Sequence, residues 1–203
     1  MSGRGRFIVL EGIDGAGKST NISFIADWLT ARGHAVTTAR EPGGPPIAER
    51  IRELLLRPEN HEMQPETELL LLFAARVQHL RQRIQPALQD GRTVLCERFT
   101  ASTYAYQGGG RGLAPELIAC LEKHLLDSWR PDLTLLLDLP PEDARRRRRG
   151  RDRYHDEPDG FLRRVRECYL RRAAEAPGVC RVDATLPLAE VQKAIVRILE
   201  RSL

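Results

Sequence analysis

Eight residues, Gly12-Ile13-Asp14-Gly15-Ala16-Gly17-Lys18-Ser19, constrain this chain more than any other stretch. They match G-x-x-x-x-G-K-[ST]. An apolar, β-rich run, Phe7 to Glu11, precedes them, and Lys18 to Arg32 follows with helical spacing (Ile22, Ile25, Ala26, Leu29) up to Gly33. Strand before and helix after is the context that gives the pattern meaning. Glycines let successive backbone N–H groups curl round phosphate oxygens, and the helix N-terminus adds its positive dipole end. Gly12, Asp14, Gly15, Ala16, Gly17, Lys18, Ser19 and Thr20 are therefore expected to cradle a nucleoside triphosphate. Lys18 would reach the β- and γ-phosphates and the Ser19 hydroxyl would ligate Mg²⁺. For Asp14 a turn-stabilising role is the plainer alternative.

The remaining chain alternates between strand and helix signals. Ala35 to Ala39, Thr93 to Cys96, Leu133 to Leu139 and Val179 to Asp183 read as further strands. Ile47 to Leu56, Pro65 to Gln89, Ser102 to Tyr106, Ala114 to Asp127, Pro141 to Arg149, Phe161 to Ala176 and Leu188 to Leu199 read as helices. Gln107 to Gly112 reads as a glycine-rich loop. The unbroken apolar run of Leu133 to Leu139 suits a strand covered on both faces. The expectation is an α/β fold: a P-loop three-layer sandwich whose parallel five-stranded sheet is flanked by helices. Residues 1–203 would form one domain, with a short lid at about 145–160.

Length, 203 residues, suits one domain with a sizeable core. The segment Met1 to Arg6 lacks a signal-peptide layout and no apolar run reaches membrane-spanning length, so a cytoplasmic protein without membrane attachment is expected. Four scattered cysteines, Cys96, Cys120, Cys168 and Cys180, fit free thiols in a reducing compartment. Net charge is +4, and the positive excess is local: seven arginines fall within the nine positions Arg145 to Arg153. Only Tyr154 supplies an aromatic there, a poor pattern for nucleic acid, whereas arginine forks suit small phosphate ligands.

No guanine-reading Asn/Thr-Lys-x-Asp motif is present. The series Phe7-Ile8-Val9-Leu10-Glu11, the phosphate loop, Arg40-Glu41-Pro42-Gly43-Gly44, Phe73-Ala74-Ala75-Arg76, Arg98-Phe99-Thr100 and Tyr104-Ala105-Tyr106-Gln107-Gly108-Gly109-Gly110-Arg111-Gly112 resembles the thymidylate kinases, and it runs through nearly the whole chain in order. The resemblance implies phosphorylation of dTMP to dTDP by ATP with Mg²⁺, for dTTP supply, in a homodimer. It implies that Arg98 and Arg52 grip the monophosphate, and that Glu41 and Ser102 belong to the substrate site. Phe73 and Arg76 would stack on and hydrogen-bond the pyrimidine, although many members carry the aromatic four residues before the arginine, where Leu72 stands here; for Phe73 plain core packing is the alternative. Thr103 and Gln107 would read the base edge, and Tyr106 would pack against the sugar. Asp14 would lie near the sugar or its Mg²⁺. Leu69–Leu72 and Leu117–Leu126 are candidates for a dimer interface or for core.

Several positions depart from the family pattern. Glu97 replaces the usual aspartate as a metal-side carboxylate and is one methylene longer. Pro45-Pro46 replaces Thr-Pro. Gly15 and Ala16 stand where some members carry an arginine, so charge for the transferring phosphoryl group is expected from the lid arginines Arg149, Arg151 and Arg153. Two alternatives stay open: a kinase retuned for another or modified deoxypyrimidine monophosphate, and a weakly active nucleotide-binding paralogue.

Overall fold

A computed structural model describes residues 4–127, 129–147, 154, 157 and 159–203. Among them lie five strands: β1 (Phe7–Glu11), β2 (Val36–Arg40), β3 (Thr93–Glu97), β4 (Leu133–Asp138) and β5 (Val179–Asp183). All pair in parallel, in the order β2-β3-β1-β4-β5, as alternating strand and helix signals require. Every residue of β1 and β4 is buried, whereas the edge strands β2 and β5 are mostly not. The register sets Leu10 of β1 beside Glu97 of β3, so the carboxyl ends of these two strands finish side by side. Ligands bind at that end of such sheets.

The helices are α1 (Lys18–Thr30), α2 (Pro46–Leu56), α3 (Pro65–His79), α4 (Gln85–Gln89), α5 (Thr100–Thr103), α6 (Pro115–Leu126), α7 (Pro141–Arg147), α8 (Asp159–Glu175) and α9 (Leu188–Ser202). One hydrophobic cluster extends from Phe7 to Leu199 and includes residues of α1, α3, α6, α8 and α9 packed with the strands. The core face of α1 is Ile22, Ile25 and Leu29, the spacing seen in the sequence. No helix among the described residues is long and apolar enough to cross a membrane.

Two expectations are corrected. The stretch 65–89 is not one regular helix: a π-helical turn, Leu80–Ile84, joins α3 to α4. Pro86 has no N–H to donate to the carbonyl four residues back, and the widened turn lies just ahead of it. Gln107 to Gly112 is not a loop along its length, because Tyr104–Gly110 is π-helical. Its glycines serve close packing: a Cβ on Gly110 would lie 2.5 Å from the Phe161 ring of α8.

Leu137, fully buried in the central strand β4, fills this core. Leu137→Ala should lower unfolding free energy by about 2–5 kcal/mol, read from the shift in denaturant midpoint.

Candidate active site

The chain leaves β1 at Glu11 and turns through Gly12 to Gly17 into α1. At Gly15 φ is 88°, and a Cβ would sit 2.6 Å from the Ala144 carbonyl oxygen, so both conformation and contact exclude a side chain. The start of α1 carries no side-chain cap, so its first-turn N–H groups suit an anion. Lys18 is buried and folds back, its Nζ 3.0 Å from the Ile13 carbonyl and 3.6 Å from Asp14 Oδ1. Burial, reinforced by the Arg98 charge, pulls the Lys18 pKa down to about 8. A phosphate oxygen beside it would restore the charged form. Ala16 is buried, while Thr20 is exposed at the helix start.

Ser19 Oγ donates to Glu97 Oε2 at 2.8 Å. A hydroxyl and a carboxylate, brought together from α1 and the end of β3, are hard oxygen ligands that fit Mg²⁺. The longer Glu97 side chain thus still reaches the loop. Asp14, the third expected metal ligand, meets cations: its Oδ1 is 2.6 Å from Arg98 Nη2 and 3.6 Å from Lys18 Nζ. Those contacts favour a role in aiming Arg98 over one in holding the ion.

Arg98 follows β3 with φ of 67°, a conformation that costs a non-glycine residue about 1–3 kcal/mol. The Arg98 N–H to Leu10 carbonyl bond, 2.9 Å, secures this backbone to the next strand. Its guanidinium donates to Asp14, to Ser102 Oγ at 3.0 Å, and to the hydroxyls of Tyr106 at 3.2 Å and Tyr169 at 3.3 Å. Such a fork is fixed in place before any ligand arrives.

A cavity beside it is lined by Asp14, Glu41, Arg52, Leu72, Arg76, Arg98, Ser102, Thr103, Tyr106, Gln107 and Tyr154, among others. Ten expected substrate residues thus converge there with one exception. Phe73 does not line it: the ring is 1% exposed, in the core cluster, on the same face of α3 as Leu69. Leu72, one position earlier and one turn from Arg76, lines the cavity wall, so an aliphatic side chain stands where aromatic stacking by Phe73 was expected. Arg76 is buried, with Nε 2.6 Å from Glu41 Oε2, Nη1 2.9 Å from Thr103 Oγ1 and Nη2 3.0 Å from the Phe99 carbonyl. His79 Nδ1 lies 3.4 Å from the other Glu41 oxygen. Arg52 Nη1 donates to the Pro42 carbonyl at 2.9 Å.

Sequence reasoning missed Glu11 and Tyr169. Glu11 is fully buried and accepts from the N–H groups of Phe99 and Ser102, from Ser102 Oγ at 2.6 Å and from Tyr169 OH at 2.9 Å. Burial pushes its pKa up, against the lowering effects of Ser102 and Arg98. A carboxylate closing an otherwise apolar central strand was the available signal. Glu68, in the leucine run of α3, was missed likewise. The expected lid residues Arg149, Arg151 and Arg153 lie outside the described residues; α7 ends at Arg147, whose Nη1 donates to the Ala184 carbonyl at 2.8 Å.

Residues 10–195 match the family model described as thymidylate kinase. The chain belongs to the thymidylate kinase family. It is 56% identical over 199 residues to a thymidylate kinase of Ectopseudomonas mendocina (strain ymp), covering 96% of this chain and 95% of that one. It is 57% identical over 197 residues to one from Chromohalobacter salexigens, covering 94% and 93%. A third, from Alcanivorax borkumensis, is 52% identical over 200 residues, covering 97% and 96%. For a thymidylate kinase relative, the buried Lys18 has a direct consequence. Its ammonium is charged only below the depressed pKa of about 8. Accordingly kcat/KM for ATP should be level up to that pH and fall about tenfold per unit above it. Lys18→Arg, charged throughout, should lose that alkaline limb if it retains activity; a limb that persists would assign the titration to another group.

Proposed function

We propose that this chain transfers the γ-phosphoryl group of ATP to the phosphate of dTMP, giving dTDP and ADP with Mg²⁺. The observation that carries this reading is the convergence of Arg98 and Arg76 on one cavity next to the phosphate loop. One guanidinium suits a phosphate and the other, buried 2% exposed at the cavity wall, suits the edge of a base. Membership of the thymidylate kinase family supports the same choice.

In this reading the loop N–H groups and Lys18 hold the triphosphate, and Arg98, aimed by Asp14, Ser102 and Tyr169, holds the monophosphate. The monophosphate oxygen forms the new bond to the γ-phosphorus as the bond to the β–γ bridging oxygen breaks. That oxygen is already a competent nucleophile, so alignment and charge neutralisation supply the catalysis. Mg²⁺, when bound by Ser19 and Glu97, adds positive charge at the triphosphate. Tyr106, held by Arg98 and packed edge-on against Tyr154 and Phe161, crowds the sugar region. The lid at about 145–160 is assigned the task of bringing arginine charge to the transferring group. We further assign a homodimer through α3 and α6, where Leu70 and Leu117 are 58% and 42% exposed. Sedimentation should then give twice the mass of one chain, and Leu70→Arg should shift it toward one.

A coupled assay with ATP, Mg²⁺ and dTMP, dUMP, UMP, CMP or 5-substituted dUMPs tests the reaction. dTMP should give the highest kcat/KM, and any other order overturns the assignment. Arg98→Ala should reduce kcat/KM for dTMP by about 10³-fold or more while changing ATP affinity little; equal loss of both would contradict its role.

A further inference from the structure

Glu68 is fully buried in α3, outside the groups that the reaction itself uses. Its Oε1 lies 2.5 Å from Gln107 Nε2 and 2.9 Å from the Tyr154 hydroxyl, and its Oε2 lies 3.4 Å from Arg111 Nε. A carboxylate paired with a guanidinium accepts hydrogen bonds and has none to donate. The amide group that Gln107 turns toward it must therefore be the NH₂. The amide oxygen of Gln107 is then left for the cavity, which Gln107 lines together with Arg76.

Arg76 has five N–H groups. Three are committed to Glu41, Thr103 and the Phe99 carbonyl, and the other two have no hydrogen-bond partner among the described residues. The wall thus offers a donor from Arg76 and an acceptor from Gln107. A 4-oxopyrimidine carries the complement, an accepting O4 next to a donating N3–H. A 4-aminopyrimidine carries the reverse, a donating amino group next to an accepting N3.

We infer that Glu68 is a positioning residue for base selectivity: it locks the Gln107 amide with its oxygen toward the base, so that the cavity takes 4-oxo and rejects 4-amino pyrimidines. The Tyr154 hydroxyl adds a second donor to the same carboxylate. The inference rests on the proposed use of a pyrimidine monophosphate.

Glu68→Gln keeps the shape but supplies an amide that can donate to the Gln107 oxygen, so the Gln107 amide is free to turn over. The ratio of kcat/KM for dTMP to that for dCMP should fall about tenfold or more, with KM for ATP unchanged. Adding Gln107→Glu restores an acceptor at the base, and the double variant should recover much of the ratio. An unchanged ratio in the folded single variant overturns the inference. Wild-type protein that does not prefer dTMP over dCMP would instead overturn the proposed reaction. Nuclear magnetic resonance of ¹⁵N-labelled wild type gives a reading independent of variant folding. The Gln107 NH₂ protons should show Overhauser contacts to the Glu68 methylenes with dTMP bound; contacts to the thymine ring in their place would overturn the lock.

Discussion

Glu11 sits at the last position of β1, out of solvent, and its two oxygens accept from the backbone of Phe99 and Ser102 and from the hydroxyls of Ser102 and Tyr169. A buried carboxylate without such partners would cost several kcal/mol or stay protonated. With them it fastens β1 to the turn after β3 and to α8. Arg98 lies within this arrangement: the same Ser102 and Tyr169 hydroxyls that serve Glu11 also accept from Arg98. The strained φ of Arg98 persists because the surrounding bonds leave the backbone no relaxed alternative.

The Arg76 side of the cavity is built on the same plan from a different helix. Arg76 is aimed by Glu41, which enters from the segment after β2, and by Thr103 and the Phe99 carbonyl, which follow β3. Phe99 thus contributes its N–H to one network and its carbonyl to the other. The surroundings of Arg98 and Arg76, two residues of the cavity wall, are thus tied together through the backbone of that one residue. Rigid placement of both groups lowers the entropy that a bound substrate must lose before transfer.

Much of this was legible before the structure. The strand–loop–helix order around Gly12–Ser19 and the apolar run 133–139 gave the parallel sheet, because a strand buried on both faces must read as continuous apolar sequence. Family motifs singled out Arg98, Arg76, Gln107 and Tyr106, and all four line the cavity. Between stacking and core packing for Phe73 the structure decides for the core, which sequence spacing alone does not fix: Leu69 and Phe73 share the core face, and this turns Leu72 toward the cavity. Glycine content at 107–112 reads as a loop, whereas Gly109 and Gly110 lie in a π-helical stretch and permit α8 to approach. Glu11 and Glu68 were read only as parts of a strand and a helix, because their partners lie many tens of residues away in the chain.

The sequence by itself determined the phosphate loop, the βα alternation and the family, since each rests on local spacing and on residue types whose chemistry does not depend on distant contacts. Tertiary structure decided which side chains face the cavity and how each is held. Ser19 meets Glu97, Asp14 meets Arg98, and Gln107 meets Glu68 only after β1, β3, α3 and the turn 104–110 are packed together. Hydrogen-bond direction and burial are properties of those assembled neighbours, and a linear sequence does not specify them.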